Sequence, residues 1–186
     1  MKKTLVIAFV FAALWMLIKY VAFVMGMFTF GSVQVYVLIN MLCLTGAIAV
    51  SLYFAKKSET ESGNLLQDIR KALAGGMFYT LMVSIFLYVF YAKIHPAYND
   101  YQINQAKELL EDPKNIEKIR SKNPDLENKS DKEIRTMSMR QSKQIANPSF
   151  TFVISLLALT LYAILNSMVI AIIYRKLLFK QVKTNS

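Results

Sequence analysis

The sequence predicts an all-α membrane protein: four transmembrane helices, with a helical extracytoplasmic insertion between the third and the fourth. Three observations lead there. Hydrophobic residues make up 55% of the 186 positions and charged residues 18%, a balance displaced from that of water-soluble globular chains. Charges are absent from three long runs, residues 20–55, 72–92 and 144–174. Between the last two runs, residues 94–147 carry ten bases and nine acids in a stretch rich in helix formers.

A helix needs ~20 apolar residues to cross the ~30 Å hydrocarbon core. The second and third runs each fit one such helix, at about 70–93 and 148–174. The first run, at 36 residues, would extend roughly 54 Å as a helix, too far for one crossing. It must turn, and "GMFTFGSVQ" offers Gly26, Gly31 and Ser32 for the purpose. Two helices result, at about 4–27 and 33–55, and Lys19 falls inside the first. The opening "MKKTLVIAFVFAALWML" also has the lysines and apolar core of a signal peptide. No small-x-small cleavage site follows, however, and apolar character resumes after Lys19 as far as Phe30. An uncleaved span is expected.

The second and fourth helices end alike, in "LYFAKK" and "IIYRK". A tyrosine before a basic pair suits the headgroup level and places both ends on one side. The third helix has a possible cytoplasmic extension in "LLQDIRKAL" and leaves the membrane at "YVFYAKIHPAY". In the polar segment, "YNDYQINQAKELLED" forms a helix after an adjustment at Pro96. Asp112 then offers an N-cap with Pro113 in the first turn, where proline is tolerated. Ser130 and Glu133 have capping-box spacing, and Ile134, Met137 and Ile145 fall on one face of the helix they open. A helical hairpin or a short three-helix cap is expected over 94–147.

The formal net charge of +10 is a topology signal rather than a nucleic-acid footprint. Two lysines open the chain, Lys56, Lys57, Arg70 and Lys71 face three acids in the short connection, and Arg175, Lys176, Lys180 and Lys183 close it. The excess of bases on these parts puts both termini and the 56–71 connection in the cytoplasm. A multi-pass protein of the bacterial inner membrane is expected, with no nucleic-acid partner.

The order of parts resembles a bacterial four-helix membrane family known as domain of unknown function 4199. The resemblance rests on the apolar N-terminal hairpin with Trp15, on "LLQDIRKALAGGMFYTLMVSIFLYVFYAKIHPAY", and on "SDKEIRTMSMRQSKQIANPSF" leading into the final span. It covers most of the chain and implies the four-helix fold and an inner-membrane location. Lys19 stands where that family often has an acid, so no polar role carries over. The family has no assigned activity.

Few residues could carry chemistry. His95 is the single histidine, beside Pro96, and is an interfacial side chain or a pH-sensitive one. Without a second histidine or a cysteine cluster no metal site is expected, nor any cofactor. Cys43 is a small buried hydrophobe, and Gly75-Gly76 allows close helix packing. The acids are all expected outside the core, which leaves no intramembrane carboxylate for a proton relay. Serines and threonines in the spans can bond their own helix backbone. Asn40 and Asn166 need partners more, and interhelical hydrogen bonds are the expectation. Lys19 and Asn40 lie at similar depth and form a candidate intramembrane polar pair. Two readings stand for Lys19: its ammonium snorkels along the stem toward the headgroups, or it faces the bundle and donates to Asn40 or to tyrosine hydroxyls.

The expected function is that of a non-enzymatic membrane interaction or accessory module. Besides the bilayer, its partner would be a membrane or periplasmic protein held through residues 97–146. A small oligomeric transporter or channel is the alternative, resting on Lys19 and Asn40. Homo-oligomerisation is compatible with both.

Overall fold

A computed structural model describes residues 2–28, 30–57 and 64–178, and every regular element among them is helical. Seven α-helices follow in order: α1 (Lys2–Val24), α2 (Val33–Lys57), α3 (Leu65–Val89), α4 (Ala97–Glu111), α5 (Pro113–Lys122), α6 (Asp131–Ile145) and α7 (Pro148–Ile173). π-helical turns, Phe90–Ile94 and Tyr174–Leu178, continue α3 and α7. Four helical stretches are long and apolar enough to cross a membrane: Lys3–Val24, Val33–Lys57, Leu65–Ile94 and Pro148–Leu177. Of the charges used for topology, Glu59, Glu61, Lys180 and Lys183 lie outside the described residues.

α1, α2 and α7 turn large apolar side chains outward. Val6, Phe9, Val10 and Leu17 on α1, Leu38 and Leu42 on α2, and Leu157, Leu161 and Leu165 on α7 are all half or more exposed. A helix with no polar face suits a hydrocarbon surround rather than water. The chain divides into two compact units, Met1–Phe86 with Ser155–Ser186, and Leu87–Ile154.

In the first unit, α1 and α2 form a hairpin whose turn is set by glycine. Gly26 takes φ +70°, which costs glycine nothing for want of a Cβ. Its N–H donates to the Phe23 carbonyl at 3.0 Å and the Met27 N–H to that of Ala22 at 2.8 Å, the paired bonds of a Schellman motif. Phe11 packs on Gly46, which fixes the antiparallel register of the hairpin. Gly75 and Gly76 let α3 approach closely: a Cβ on Gly75 would stand 2.6 Å from Ser51 Oγ, and one on Gly76 3.1 Å from the Ala163 Cβ. Small residues at such crossings are how helices associate where lipid removes the hydrophobic drive.

In the second unit, a proline reshapes the helix before it. The His95 N–H donates to the Phe90 carbonyl at 2.7 Å, five residues back, so the Tyr91 carbonyl loses the partner an α-helix would give it. A continued π pattern would turn to the next N–H, and Pro96 has none. Asn99 supplies the missing donor, its Nδ2 reaching the Tyr91 carbonyl at 2.9 Å. The adjustment expected at Pro96 is therefore a widened turn spread over Phe90–Ile94, not a break.

Beyond it, α4, α5 and α6 surround a small core of Leu110, Ile116 and Ile134, with Ile119, Leu126 and Met139 packed against it. Three helices are present over these residues. Asp112 accepts from the Lys114 N–H at 2.9 Å with Pro113 next in the chain. Ser130 and Glu133 complete a capping box. Of Ile134, Met137 and Ile145, only Ile134 is buried; the other two are 46% and 48% exposed. Ile145 lies three turns past Ile134, beyond the short core, and Met137 turns to the rim, where Lys129 Nζ reaches its sulfur at 3.2 Å.

Candidate functional site

The polar side chains of the first unit gather in clusters along its helices. One is built on α1, where Trp15 and Lys19, four residues apart, share a face. Lys19 is 2% exposed. Its ammonium stands 4.1 Å from the ring centre of Phe28 and 5.7 Å from that of Trp15. A desolvated cation over aromatic faces gains ~2 kcal/mol or more. The rings are themselves held: Trp15 Nε1 donates to the Tyr36 carbonyl at 3.1 Å, Trp15 meets Phe86 edge to face at 5.9 Å, and Phe28 lies 5.2 Å from Tyr36. The lysine is inside the protein, not lifted along its surface.

The hairpin register sets Lys19 level with Leu38, within about one helical turn of Asn40 in depth. Asn40 turns to α3 instead of α1. Tyr79, fully buried, donates its hydroxyl to Asn40 Oδ1 at 2.6 Å, and that hydroxyl stands 3.2 Å from the Asn40 carbonyl. The two members of the candidate pair thus each have aromatic partners: rings for Lys19, a phenol for Asn40. Asn166 departs from expectation. Its Nδ2 donates to the Tyr162 carbonyl on its own helix at 3.0 Å, while the Tyr162 hydroxyl bridges to Thr45 at 3.1 Å. Thr45 also bonds its own backbone at Met41. The buried hydroxyls of Thr80, Ser84 and Ser167 do not follow it; none has a hydrogen-bond partner among the described residues.

The third cluster is built around a buried acid. Asp68, in the first turn of α3, has no exposure at all. Lys56 Nζ, on the last turn of α2, stands 2.7 Å from Asp68 Oδ1, and Arg175 Nη1, following α7, donates to Oδ2 at 3.3 Å. One carboxylate thus ties three helices. The span expected at about 70–93 has its possible cytoplasmic extension in "LLQDIRKAL", which takes in Asp68. In the structure α3 starts at Leu65, and its first turns carry the acid into the bundle. The available signal was a lone acid flanked by Leu65, Leu66 and Ile69. An acid among apolar neighbours beside a helix end needs a cation, and basic pairs end both neighbouring spans.

His95 belongs to the second unit. It is half-buried beside the π turn, 6.2 Å from Phe90 and 6.1 Å from Tyr98 between ring centres. Tyr91 and Tyr98 stack at 4.9 Å. Burial pushes the Tyr98 phenol up from its ordinary range, against a hydrogen bond with Gln102 that draws it down. Cys43 is buried and unpaired by disulfide. Among the described residues no three His, Cys, Asp or Glu side chains converge as metal ligands.

Residues 6–176 match the sequence profile of the family described as "Protein of unknown function (DUF4199)". The chain belongs to this family. No curated protein and no solved structure matches it. The DUF4199 region takes in Lys19, Asn40, Asp68, His95, Asn166 and Arg175, so all three polar clusters of the bundle, and the histidine, are inside the family's own domain rather than on an appended tail.

Proposed function

We propose that this DUF4199 protein is a non-enzymatic accessory module of the bacterial inner membrane. Its helices α1, α2, α3 and α7 anchor it, and the segment between α3 and α7 holds a membrane or periplasmic protein on the extracytoplasmic side. The excess of basic residues at the termini and in the 56–71 connection supports a cytoplasmic placement for both ends. The observation that carries the reading is the folding of residues 97–145 as three helices on a core of their own. A connection that served only to join two spans would need a few residues; this one builds a surface. Affinity purification from native membranes tests it, using the full chain and a version lacking residues 97–146. Partners recovered only with the full chain are expected; identical partners from both would overturn the role of this segment.

A small oligomeric transporter or channel is the second reading, favoured by the buried Lys19. Ionisable groups buried within spans commonly mark solute pathways. Ion and solute flux in reconstituted vesicles decides it. A flux that Lys19→Met abolishes would support this reading, and vesicles as tight as empty ones would remove it.

A further inference from the structure

An open groove of about 530 Å³ runs between α4 and α6, a volume in the range of ligand-binding clefts. Leu110 and Met139 form its floor. Lys107, Arg135, Arg140 and Lys143 line it, with Glu111 as the one acid. Arg135 has a structural task, donating to the backbone carbonyl of Glu111 at 3.5 Å, one of the carbonyls that a helix end leaves open. The other three cations are exposed, and none is in an ion pair among the described residues. Elsewhere in the same unit a cation and an acid that approach do pair, as Arg120 and Asp131 do. Three unpaired cations over an apolar floor concentrate positive potential in one cleft.

We infer that this groove is the docking site for an acidic amphipathic helical segment of a partner protein. Apolar residues of the segment would lie on Leu110 and Met139, and its carboxylates would meet Lys107, Arg140 and Lys143. The inference rests on the accessory-module reading and names the partner's chemistry. From Arg135 to Lys143 the lined face of α6 rises about 12 Å, two helical turns along which a helical segment can repeat its apolar and acidic residues. A helix laid in a groove by its apolar face is a common recognition mode, and rim charges set the partner's choice and the rate of encounter.

The test uses the full-length protein in a neutral detergent and a defined probe. The probe is a stapled 14-residue helix with leucines on one face and glutamates along its flanks, read by fluorescence anisotropy. Saturable binding that weakens with salt is expected. The triple variant Lys107→Gln, Arg140→Gln, Lys143→Gln should weaken it at least tenfold, and so should Thr136→Glu, which sets a negative charge among the lining residues. The single variant decides if the triple one loses its helical signal. Neutralising Lys114, Lys118 and Lys122 on α5 removes the same charge outside the groove and should change nothing. Equal loss in that control, equal binding of a lysine-for-glutamate probe, or groove-dependent binding of phosphatidylglycerol vesicles in place of the probe would each overturn the proposal. If deleting residues 97–146 abolishes partner recovery while the groove variants retain it, the groove fails and the module reading stands. If the probe binds but no partner depends on the segment, the module reading fails instead.

Discussion

The Asp68 carboxylate stands 2.7 Å from the Lys56 ammonium, with side-chain exposures of 0% and 7%. Arg175, about one-third exposed, closes on the other oxygen. Charges this deep in a bundle hold together because removing any one strands the rest. Asp68→Asn should therefore destabilise by about 3–5 kcal/mol, the usual cost of orphaning a buried charge. The double change Asp68→Leu with Lys56→Met should cost less than Asp68→Asn alone. Thermal unfolding in detergent checks both. A neutral Asp68→Asn would mean that the cluster is hydrated in the folded protein.

The bond from Tyr79 to Asn40 should be worth about 0.6 kcal/mol and at most ~1.7 kcal/mol, the average and the largest coupling found for hydrogen bonds between membrane helices. A double-mutant cycle of Tyr79→Phe and Asn40→Leu in denaturant gives the coupling. Additive single effects would show that the 2.6 Å contact adds nothing beyond packing.

Gly75→Ala should destabilise by about 1–3 kcal/mol, as overpacking of a tight core does, because the new Cβ meets Ser51 Oγ at 2.6 Å and Ser51 Cβ at 3.0 Å. Ser51→Ala in the same chain should recover part of that loss, since it removes the nearer atom and leaves the second. Unfolding midpoints of the three variants give the answer.

The Ser130–Glu133 box makes the second unit sensitive to acid. Hydrogen bonds from the Ser130 side chain and backbone hold the Glu133 carboxyl below its ordinary range. A depressed carboxyl stabilises the fold above its unfolded pKa and loses that contribution as pH falls through the folded value. Helical signal from α6 should therefore weaken below about pH 4. Glu133→Gln, with no charge to lose, should remove that part of the pH dependence. Circular dichroism of the full chain against pH measures it, and identical acid profiles for both proteins would contradict it.

Much of the architecture was legible because it rests on local rules. The 36-residue uncharged run could not cross once, Gly26 could take the left-handed turn, and the caps at Asp112 and Ser130 follow from spacing alone. The polar clusters were less legible, because they join residues remote in sequence. Lys56, Asp68 and Arg175 come from three helices, and nothing local to Asp68 tells which cation it will meet. Asn40 was recognised as needing a partner, but Tyr79 looked like one aromatic among many in α3. Trp15 and Lys19 are local by their spacing of four, yet Phe28, the nearer ring, comes from beyond the glycine of the hairpin turn. The π turn had a sequence cause in Pro96. Its extent depended on whether some later side chain could serve the Tyr91 carbonyl, and Asn99 does so eight residues on.

That turn has a genetic consequence. A π turn holds one residue more than the α-helical path it replaces, so Phe90–Ile94 is a place where the chain has absorbed an extra position without ending the helix. Removing Ala92 would let the backbone close into ordinary α geometry, with the His95 N–H keeping the Phe90 carbonyl as a fourth-residue bond. The residues after it would hold nearly their present phase, and Asn99 would still serve the Tyr91 carbonyl, which Pro96 cannot. A single-residue deletion here should therefore be tolerated far better than one in the regular turns of α3, where every later residue would swing by about 100° around the axis.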